Sequence, residues 1–513
     1  GVKFIILFEL LLHLLTLTIM KYFDLHVHPP LKTFLGDTHE KKRMNCWKEV
    51  KIKGLIGFAA KFVGDILNSQ ASLSQIKKGN TKIAVAGIYP LERGMTSGVI
   101  PLGKDSVLFT KLKSLAQKVP ELSKELLVKI EYGEYPDFQL YQDLRDHLIK
   151  AEDINIVSAV HELREDKLNI ILAVEGGHAL FNDLKKDTET DVLKNLEKIR
   201  NFDHRTLYLT LVHLTKLPFC THAYGIKFIE NPDFFPGGKG ITPLGFKVIE
   251  KALENTDKKR ILIDVKHMSL YSRLQYYKWL KERDETIPVI ASHCGATGVS
   301  WKKMPVYHYD LSNEMYPVVH YVKPEGLDKT QFNPWSVNLY DEEIPEIVNS
   351  GGLIGLNYDQ RIQGVGQEVG HEVFSSDEFS EYEKYIKQNL EHFKKLKQQY
   401  QPEQESIFDR KYHLKHLANT ILHFVKAGGP ETWNHLCIGS DFDGLIDALD
   451  CCKTIDKFNR KGWIIKRDLY HQLVRAIQGM TKNTKDTYHI YDLKKQVKGI
   501  MYDNALAFLK KCW

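Results

Sequence analysis

Two histidines close a short apolar run near the start of the chain, and their spacing suits a metal ion. His26 and His28 end the segment Tyr22–His28. Side chains along a strand repeat with a period of two, so both imidazoles would point to the same side and could chelate one ion. The chain holds 22 histidines. A chain of this composition contains about one His-x-His pair by chance, so the pair alone is equally compatible with a structural role.

Further polar residues stand at the ends of other apolar runs. They are Glu175, His213, His267, His293 and Asp441. The carboxyl ends of parallel strands meet at one face of a barrel, and active-site groups belong there. Any one of these residues could be a hydrogen-bonded residue of the core. Packing does not explain six strand ends that all close in His, Glu or Asp, so the pattern predicts a functional site.

The predicted metal ligands are His26, His28, Glu175, His267 and His293. Imidazoles and a carboxylate, without thiolates, suit zinc, manganese or iron, with zinc the default. One carboxylate can bridge two ions, so the set predicts two divalent metal ions with open positions for hydroxide. Gly176 and Gly177 would let the backbone approach the site closely. The predicted chemistry is hydrolysis, in which two cations acidify a shared water and polarise the scissile carbonyl.

Eight short runs rich in valine, isoleucine and leucine are bounded by turn residues, as expected of strands buried on both sides. They are Tyr22–His28, Lys82–Ile88, Asn169–Glu175, Thr206–His213, Arg260–His267, Pro288–His293, Gly352–Tyr358 and His435–Asp441. Helical periodicity fills most of the intervals, as in Asp191–Arg200, Leu244–Glu254 and Leu270–Arg283. Strands that alternate with helices pair in parallel through right-handed crossovers. The sequence therefore predicts an α/β fold, a (β/α)8 TIM barrel with long inserted βα loops. A doubly wound open sheet is the structural alternative.

Two connections are much longer than the usual few residues. One runs from Tyr89 to about Leu168, and the other from Asp359 to about Asn434. The stretch Gly298–Trp335 lacks periodicity and is predicted to be a loop over the barrel mouth. Long βα insertions lie on the catalytic face of such barrels, so these segments should shape a substrate pocket. The charged stretch Glu381–Tyr400 is predicted to be a solvated surface helix.

The composition is that of an ordinary globular protein. The chain has 513 residues, of which 43% are hydrophobic and 27% charged, and its net charge is +6. No basic block stands out, so nucleic acid binding has no support. The seven cysteines show no CxxC spacing, which argues against a disulfide framework and favours a reducing compartment. One barrel domain over residues 21–513 accommodates this length.

Residues 1–20 form an apolar N-terminal extension. The run Phe4–Met20 is interrupted by Glu9 and His13. It could be a signal peptide or a membrane anchor. A single lysine before the run, the internal acid and the lack of a small-x-small cleavage site argue against both, and Met20-Lys21 resembles a natural start. A cytoplasmic location is therefore favoured, with export or membrane anchoring as the alternative.

The motifs resemble those of the membrane (renal) dipeptidases of the amidohydrolase superfamily, in matching order from Asp24 to Asp443. Glu-Gly-Gly-His at 175–178 resembles the bridging-glutamate motif, and Gly-Ser-Asp-Phe-Asp-Gly at 439–444 resembles the strand with the catalytic aspartate. The segment 69–87 resembles the family's second-strand region, and three segments between the two motifs resemble further strands: 207–213, 262–269 and 288–293. The Glu-Gly-Gly-His and Asp-Phe-Asp-Gly motifs are fairly specific when they occur together in this order.

The resemblance implies a binuclear zinc hydrolase that acts on a small dipeptide substrate. Its ligand sets would be His26, His28 and Glu175 for one ion, and Glu175, His267 and His293 for the other. His213 would contact the substrate carbonyl or the developing oxyanion. Asp441 would take a proton from the bridging water and deliver it to the leaving amine. A homodimer is a further expectation from the family.

Two positions depart from the family pattern. The family usually has aspartate where this chain has His28, and a neutral imidazole makes the site one unit more positive, which should further acidify bound water. The arginine that grips the dipeptide's free carboxylate falls next to the position of Asn338, where this chain has Val337. Another cation would have to replace it. The candidates are Arg361, Lys302 and Lys303.

Three functions remain open on the sequence alone. The first is a dipeptidase-like enzyme that cleaves an amide bond. The second keeps the fold and metals but acts as an N-acyl amino acid deacylase, a lactonase or a phosphoester hydrolase, which the His-x-His motif and the missing arginine would favour. The third is a non-catalytic metal-binding barrel, and the complete set of ligands together with Asp441 argues against it.

Overall fold

The computed structural model describes residues 20–36, 43–51, 66–96, 123–225, 232–255, 259–312, 316–365, 370–399, 410–459 and 468–513. The apolar run over residues 1–19, and with it the expectation of a signal peptide or anchor, lies outside the described residues. Within them, no helix combines the length and the apolar character needed to cross a membrane.

Eight parallel strands close into a barrel. They are β1 Tyr22–Val27, β2 Thr81–Ile88, β4 Leu168–Glu175, β5 Thr206–Thr210, β6 Leu262–Asp264, β7 Ile290–Cys294, β10 Leu353–Leu356 and β12 Leu436–Ile438. Neighbours around the ring follow chain order, β2 pairs directly with β4, and β12 returns to β1. The short strand β3 Ile154–Ile156 pairs with β4 outside the ring. The closed ring confirms the predicted (β/α)8 barrel and excludes the open sheet.

All eight predicted strands occur, but five of them end earlier than predicted, and three of these end earlier by three residues. β5 ends at Thr210, β6 at Asp264 and β12 at Ile438. The predicted site residues at the ends of these runs therefore lie in the turns that follow. Two of them, His267 and Asp441, have φ angles of +68° and +63°. This left-handed backbone cannot continue a strand, and a non-glycine residue adopts it at an energetic cost.

The helices include those predicted between strands. They are α1 Leu31–Leu35, α2 Leu73–Lys78, α3 Arg93–Thr96, α4 Lys124–Glu131, α5 Asp137–Ile149, α6 Glu189–Arg200, α7 Pro243–Leu253, α8 Leu270–Lys281, α9 Glu343–Asn349, α10 Gln360–Gln363, α11 Ser376–Gln399, α12 Arg410–Gly428, α13 Leu469–Met480, α14 Leu493–Lys498 and α15 Asn504–Cys512. Local sequence fixes their starts. A capping box of Thr188 and Asp191 precedes α6, and Thr242 caps α7 with Pro243 in its first turn.

A three-stranded antiparallel sheet stands outside the barrel. It consists of β8 Val306–Asp310, β9 Val318–Tyr321 and β11 His371–Val373, with β9 in the centre. The prediction of a loop over Gly298–Trp335 is therefore wrong, because β8 and β9 form a hairpin within this stretch. Tyrosine and histidine alternate along β8. Both are amphipathic, so the usual contrast between apolar and polar faces is weak in the sequence.

The helix α11 covers the inner side of this sheet. Its first half buries Phe379, Tyr382 and Ile386, which join Val319 and Tyr321 in an apolar cluster separate from the barrel core. Beyond Ile386 no described residue of α11 is buried. The prediction of a solvated surface helix is therefore wrong for the first half of α11, which packs against the sheet, and agrees with the second half.

Candidate metal centre

In both His26 and His28, the Nε2 atom carries a lone pair that can bind a metal ion. His28 Nδ1 lies 2.8 Å from the carbonyl oxygen of Gly87. A carbonyl can only accept, so the proton is on Nδ1 and the lone pair on Nε2. His26 Nδ1 lies 2.6 Å from the hydroxyl of Tyr208, which donates its own proton to the carbonyl of Leu25 at 2.9 Å. The same tautomer follows for His26. Partners of this kind orient metal-binding imidazoles.

The carboxylate of Glu175, the last residue of β4, lies between two pairs of histidines. Its Oε1 is 3.1 Å from His26 Nε2, and its Oε2 is 3.2 Å from His28 Nε2. On the other side, Oε1 is 3.7 Å from His267 Nε2 and 3.6 Å from His293 Nε2. Ligand atoms about 2.0–2.2 Å from one ion lie roughly 3–4 Å from each other. Glu175 is therefore spaced to bind an ion with each pair.

The chain can turn beside Glu175 because two glycines follow it. Gly176 has a φ of +91°, a conformation that favours glycine. A Cβ on Gly177 would lie 2.2 Å from the carbonyl oxygen of Leu211, which is closer than two non-bonded atoms can approach. The close backbone approach expected from these glycines is present.

His267 and His293 face each other across the second half of the site. His293 Nδ1 lies 2.8 Å from the hydroxyl of Ser292, which donates to the carboxylate of Asp264 at 2.5 Å. The proton of His293 is therefore on Nδ1, and its Nε2 carries the lone pair. This Nε2 lies 3.2 Å from Nε2 of His267. Two imidazole nitrogens at that distance share a proton or chelate a cation.

Asp441 lies beside both halves of the site. Its Oδ1 is 3.2 Å from His28 Nε2 and its Oδ2 is 3.9 Å from His293 Nε2. The backbone N–H of Asp441 donates to the carbonyl of His26 at 2.9 Å, which holds the left-handed turn against β1. The side chain is 13% exposed, whereas those of the predicted ligands are nearly or fully buried. Asp441 can therefore reach both the ligands and an incoming substrate.

His213 reaches the site from the turn after β5. Its Nε2 lies 3.8 Å from Glu175 Oε1, and its Nδ1 lies 2.9 Å from Oε2 of Glu92. Glu92 also accepts from the hydroxyl of Tyr89 at 2.9 Å and from Thr215 Oγ1 at 2.8 Å. The carboxylate of Glu92 therefore orients His213 so that Nε2 points toward the centre.

The electrostatics at Glu175, His267 and His293 favour the protonation states that metals require. Burial, and after it the neighbouring imidazoles, hold the pKa of His267 and of His293 well below the ordinary histidine value. Burial alone would raise the pKa of Glu175, but its electrostatic interactions and hydrogen bonds with the imidazoles of His26 and His28 outweigh burial and hold this pKa well below its usual range. Neutral imidazoles and an ionised carboxylate are the forms that bind metal ions.

Several buried ligand atoms at this point lack hydrogen-bond partners within the described part of the chain. They are His26 Nε2, His28 Nε2 and Glu175 Oε1. A buried polar atom without a partner costs about 1–3 kcal/mol, so several at one point indicate a ligand that satisfies them. Three sets lie within chelating distance: His26, His28 and Glu175; Glu175, His267 and His293; and His26, His293 and Asp441. Nitrogen and oxygen donors in such sets fit divalent ions such as zinc.

Among the cations considered for a substrate carboxylate, Arg361 reaches the segment that follows Asp441, where its Nη2 donates to the carbonyl of Leu445 at 3.4 Å. Its Nε donates to both carboxylate oxygens of Asp359, at 2.9 and 3.0 Å, and its side chain is 40% exposed. Lys302 and Lys303 are exposed, and within the described ranges no contact joins them to the ligand residues. Arg361 is therefore the strongest of the three candidates.

Val337 offers no polar side chain to the site. It is 2% exposed and belongs to the apolar cluster beneath the outer sheet. Its carbonyl accepts from Nζ of the buried Lys266 at 3.3 Å. The position beside Asn338 is thus an apolar packing position in this chain.

Sequence reasoning missed three buried side chains that orient the site, namely Tyr208, Asp264 and Glu92. Tyr208 and Asp264 are polar residues inside runs predicted to be buried strands, so their placement was itself a signal. Glu92 carries no such signal, because it lies in an insertion whose path across the barrel mouth has no periodic pattern.

No family model and no curated protein matches the chain. Two solved structures align with the chain over almost its whole length. The dipeptidase AC, a metallopeptidase, is 15% identical with a TM-score of 0.50, and the match covers 96% of this chain and 99% of that one. A metallopeptidase from Rhodobacter sphaeroides, bound to a phosphinate mimic of the dipeptide L-Ala-D-Ala, is 14% identical with a TM-score of 0.48, covering 96% and 100%. The family resemblance noted in the motifs is thus matched at the level of the fold: the chain is a (β/α)8 barrel of the kind found in the dipeptidase AC.

Proposed function

We propose that this chain is a metal-dependent hydrolase of the membrane dipeptidase type, which cleaves an amide bond in a small dipeptide-like substrate. The observation that carries the proposal is the carboxylate of Glu175 between two pairs of histidines, with buried ligand atoms that lack partners in the described chain. We expect His26, His28 and Glu175 to hold one divalent ion, and Glu175, His267 and His293 the other, with zinc as the default metal.

When bound, two such ions would acidify a shared water and polarise the scissile carbonyl. Asp441 supplies the proton transfer. Its carboxylate lies beside His28 on one side and His293 on the other, and it is exposed enough to meet a substrate. It accepts a proton from the attacking water and returns it to the leaving amine, as general base and then general acid.

His213 binds the substrate carbonyl oxygen as negative charge develops on it. Burial lowers the pKa of His213, but the charges of Glu92 and Glu175 outweigh it and raise the pKa above the ordinary value. A protonated imidazole with Nδ1 bonded to Glu92 keeps Nε2–H free to donate toward the centre. A donor already oriented toward developing charge lowers the barrier without reorganising during the reaction.

A second reaction class has one observation in its favour. The position beside Asn338 is the buried Val337, and the nearest candidate cation, Arg361, is already paired with Asp359 through two oxygens. A substrate without a free C-terminal carboxylate would need no such cation. A lactonase or a phosphoester hydrolase on the same metal centre is therefore the second candidate function.

A substrate panel on the zinc-loaded protein tests the proposal. Dipeptides, N-acyl amino acids, lactones and phosphoesters are compared by kcat/KM, with Asp441→Asn as the background control. We expect dipeptides to lead, and dipeptide amides, which lack the free carboxylate, to fall behind them. Preference for lactones or phosphoesters would favour the second candidate function. Bound metal without turnover of any ester or amide would contradict both and favour a binding protein.

A further inference from the structure

The small outer sheet places three histidines side by side. His320 lies on the central strand β9, paired in register with His308 of β8 on one side and with His371 of β11 on the other. Residues directly opposite each other on neighbouring strands point to the same face, with Cβ atoms about 4.5–5.5 Å apart. We call this row His308, His320 and His371 the histidine ladder. It shares no residue with the barrel centre.

The spacing of the ladder suits chelation. The ring centroids of His308 and His320 are 5.4 Å apart, and those of His320 and His371 are 5.9 Å apart. Imidazole nitrogens bind zinc at about 2.0–2.1 Å, so two imidazoles on one tetrahedral ion have ring centroids roughly 5 Å apart. The first pair is close to this separation already. Small rotations about the side-chain bonds would aim the ring nitrogens at a common point.

The ladder faces outward and is accessible to an ion. The opposite face of the sheet is buried, with Val319, Tyr321 and Glu372 turned inward. On the outer face, His308 is exposed, and His320 and His371 are partly exposed. Imidazoles turned away from a packed face can take up an ion from solution without unfolding the sheet.

A carboxylate accompanies the ladder on the same face. Asp310 lies two residues after His308 on β8 and is exposed. Hydrogen bonds from Ser312, and after them the charges of His308 and His320, lower the pKa of Asp310. Asp310 therefore adds a negative charge beside His308 on the exposed face of the sheet. Imidazoles with one carboxylate are a ligand set that first-row transition metals accept.

We infer that the histidine ladder is a second metal site, independent of the barrel centre, which takes a divalent transition-metal ion of the copper, nickel or zinc class. His308 and His320 form the chelating pair, and His371 and Asp310 stand beside it on the same face as further candidate ligands. Copper(II) binds such nitrogen and oxygen sites more tightly than the other divalent first-row ions, so it is the most sensitive probe.

Copper titration of the zinc-loaded protein tests this site. Copper bound and zinc released are counted together by equilibrium dialysis with elemental analysis, so that exchange in the barrel is subtracted. Electron paramagnetic resonance then reports nitrogen coupling to the bound copper. We expect one additional copper ion per chain, with coupling to at least two imidazole nitrogens. His308→Ala and His320→Ala should each weaken this binding by roughly tenfold or more.

His392, exposed on α11, provides the matched control, and His392→Ala should bind copper like the parent. If His320→Ala loses its folded circular dichroism spectrum, the double variant His308→Ala/His371→Ala takes its place, because both positions lie on edge strands. The inference is overturned if the parent binds no additional copper. It is equally overturned if the folded ladder variants bind as much copper as His392→Ala does.

Discussion

Glu92 Oε2 lies 2.9 Å from Nδ1 of His213. This contact joins an insertion between β2 and β4 to the turn after β5. The carboxylate of Glu92 is 3% exposed, and its other oxygen accepts from the backbone of Leu214 and of Thr215, each at 3.1 Å. One buried side chain thus fixes both the orientation of His213 and the turn that carries it.

Glu92→Gln tests this positioning role. The amide keeps an oxygen for the turn but removes the negative charge that holds Nδ1–H of His213. We expect kcat to fall about 10- to 100-fold, as for other partners that orient a site residue, while KM and bound metal change little, because the metal ligands are untouched. Steady-state kinetics with elemental analysis check this. A variant that loses metal and kcat together would assign Glu92 to folding of the site instead.

Asp441→Asn should separate chemistry from metal binding. Asparagine preserves the size of the side chain but cannot accept the proton, so kcat should fall by roughly 10²- to 10⁴-fold, the usual contribution of a general acid–base group. Metal content should stay at the parent level, since Glu175 and the four histidines remain. Asp310→Asn, on the outer sheet, is the control and should keep full turnover. Full turnover in Asp441→Asn would exclude the proton-transfer role.

Removal of a metal ligand should prevent metal ions from binding at the barrel centre. Glu175→Ala deletes the carboxylate that lies between the two histidine pairs, so neither ion would keep three protein ligands. His293→Ala should remove at least the ion that Glu175, His267 and His293 would hold. Elemental analysis after gentle purification checks both, with His392→Ala as the surface control. Bound ions raise thermal stability by mass action, so added zinc should raise the Tm of the parent more than that of Glu175→Ala. Equal zinc content in parent and Glu175→Ala would rule out the proposed bridging position.

The barrel was predictable because its eight buried strands appear in the sequence as short apolar runs. The site was predictable because the carboxyl ends of these strands meet on one face. The ligands followed from that convergence: His26, Glu175 and His293 all lie at or beside strand ends. Partners such as Glu92 were not predictable, because long-range contacts made by an insertion have no local pattern. The hairpin of β8 and β9 was not predicted for a related reason, because its sequence does not alternate between clearly apolar and clearly polar residues.

Glu372, on β11 of the outer sheet, has a buried carboxyl group that is bonded to β9 and to the segment that follows it. It is 0% exposed and accepts from the backbone N–H of Ser336 at 3.0 Å and from the hydroxyl of Tyr321 at 2.5 Å. Burial raises its pKa from 4.5 to about 7, although the hydrogen bonds from Ser336 and Tyr321 oppose the rise. The folded protein therefore holds a proton here between pH 4.5 and 7 that the unfolded chain releases.

A raised carboxyl pKa makes stability fall as the pH rises through this window, because the unfolded chain binds fewer protons than the folded one. The shift corresponds to a loss on the order of 3 kcal/mol between pH 4.5 and 7, and to no further loss above pH 7. Glu372→Gln is neutral at every pH and should lack this loss. Melting curves of both proteins across pH 4.5–8 should therefore diverge as the pH rises, whereas Glu391→Gln, on the exposed part of α11, should follow the parent. Parallel curves for the parent and Glu372→Gln would mean that Glu372 is already ionised in the folded protein.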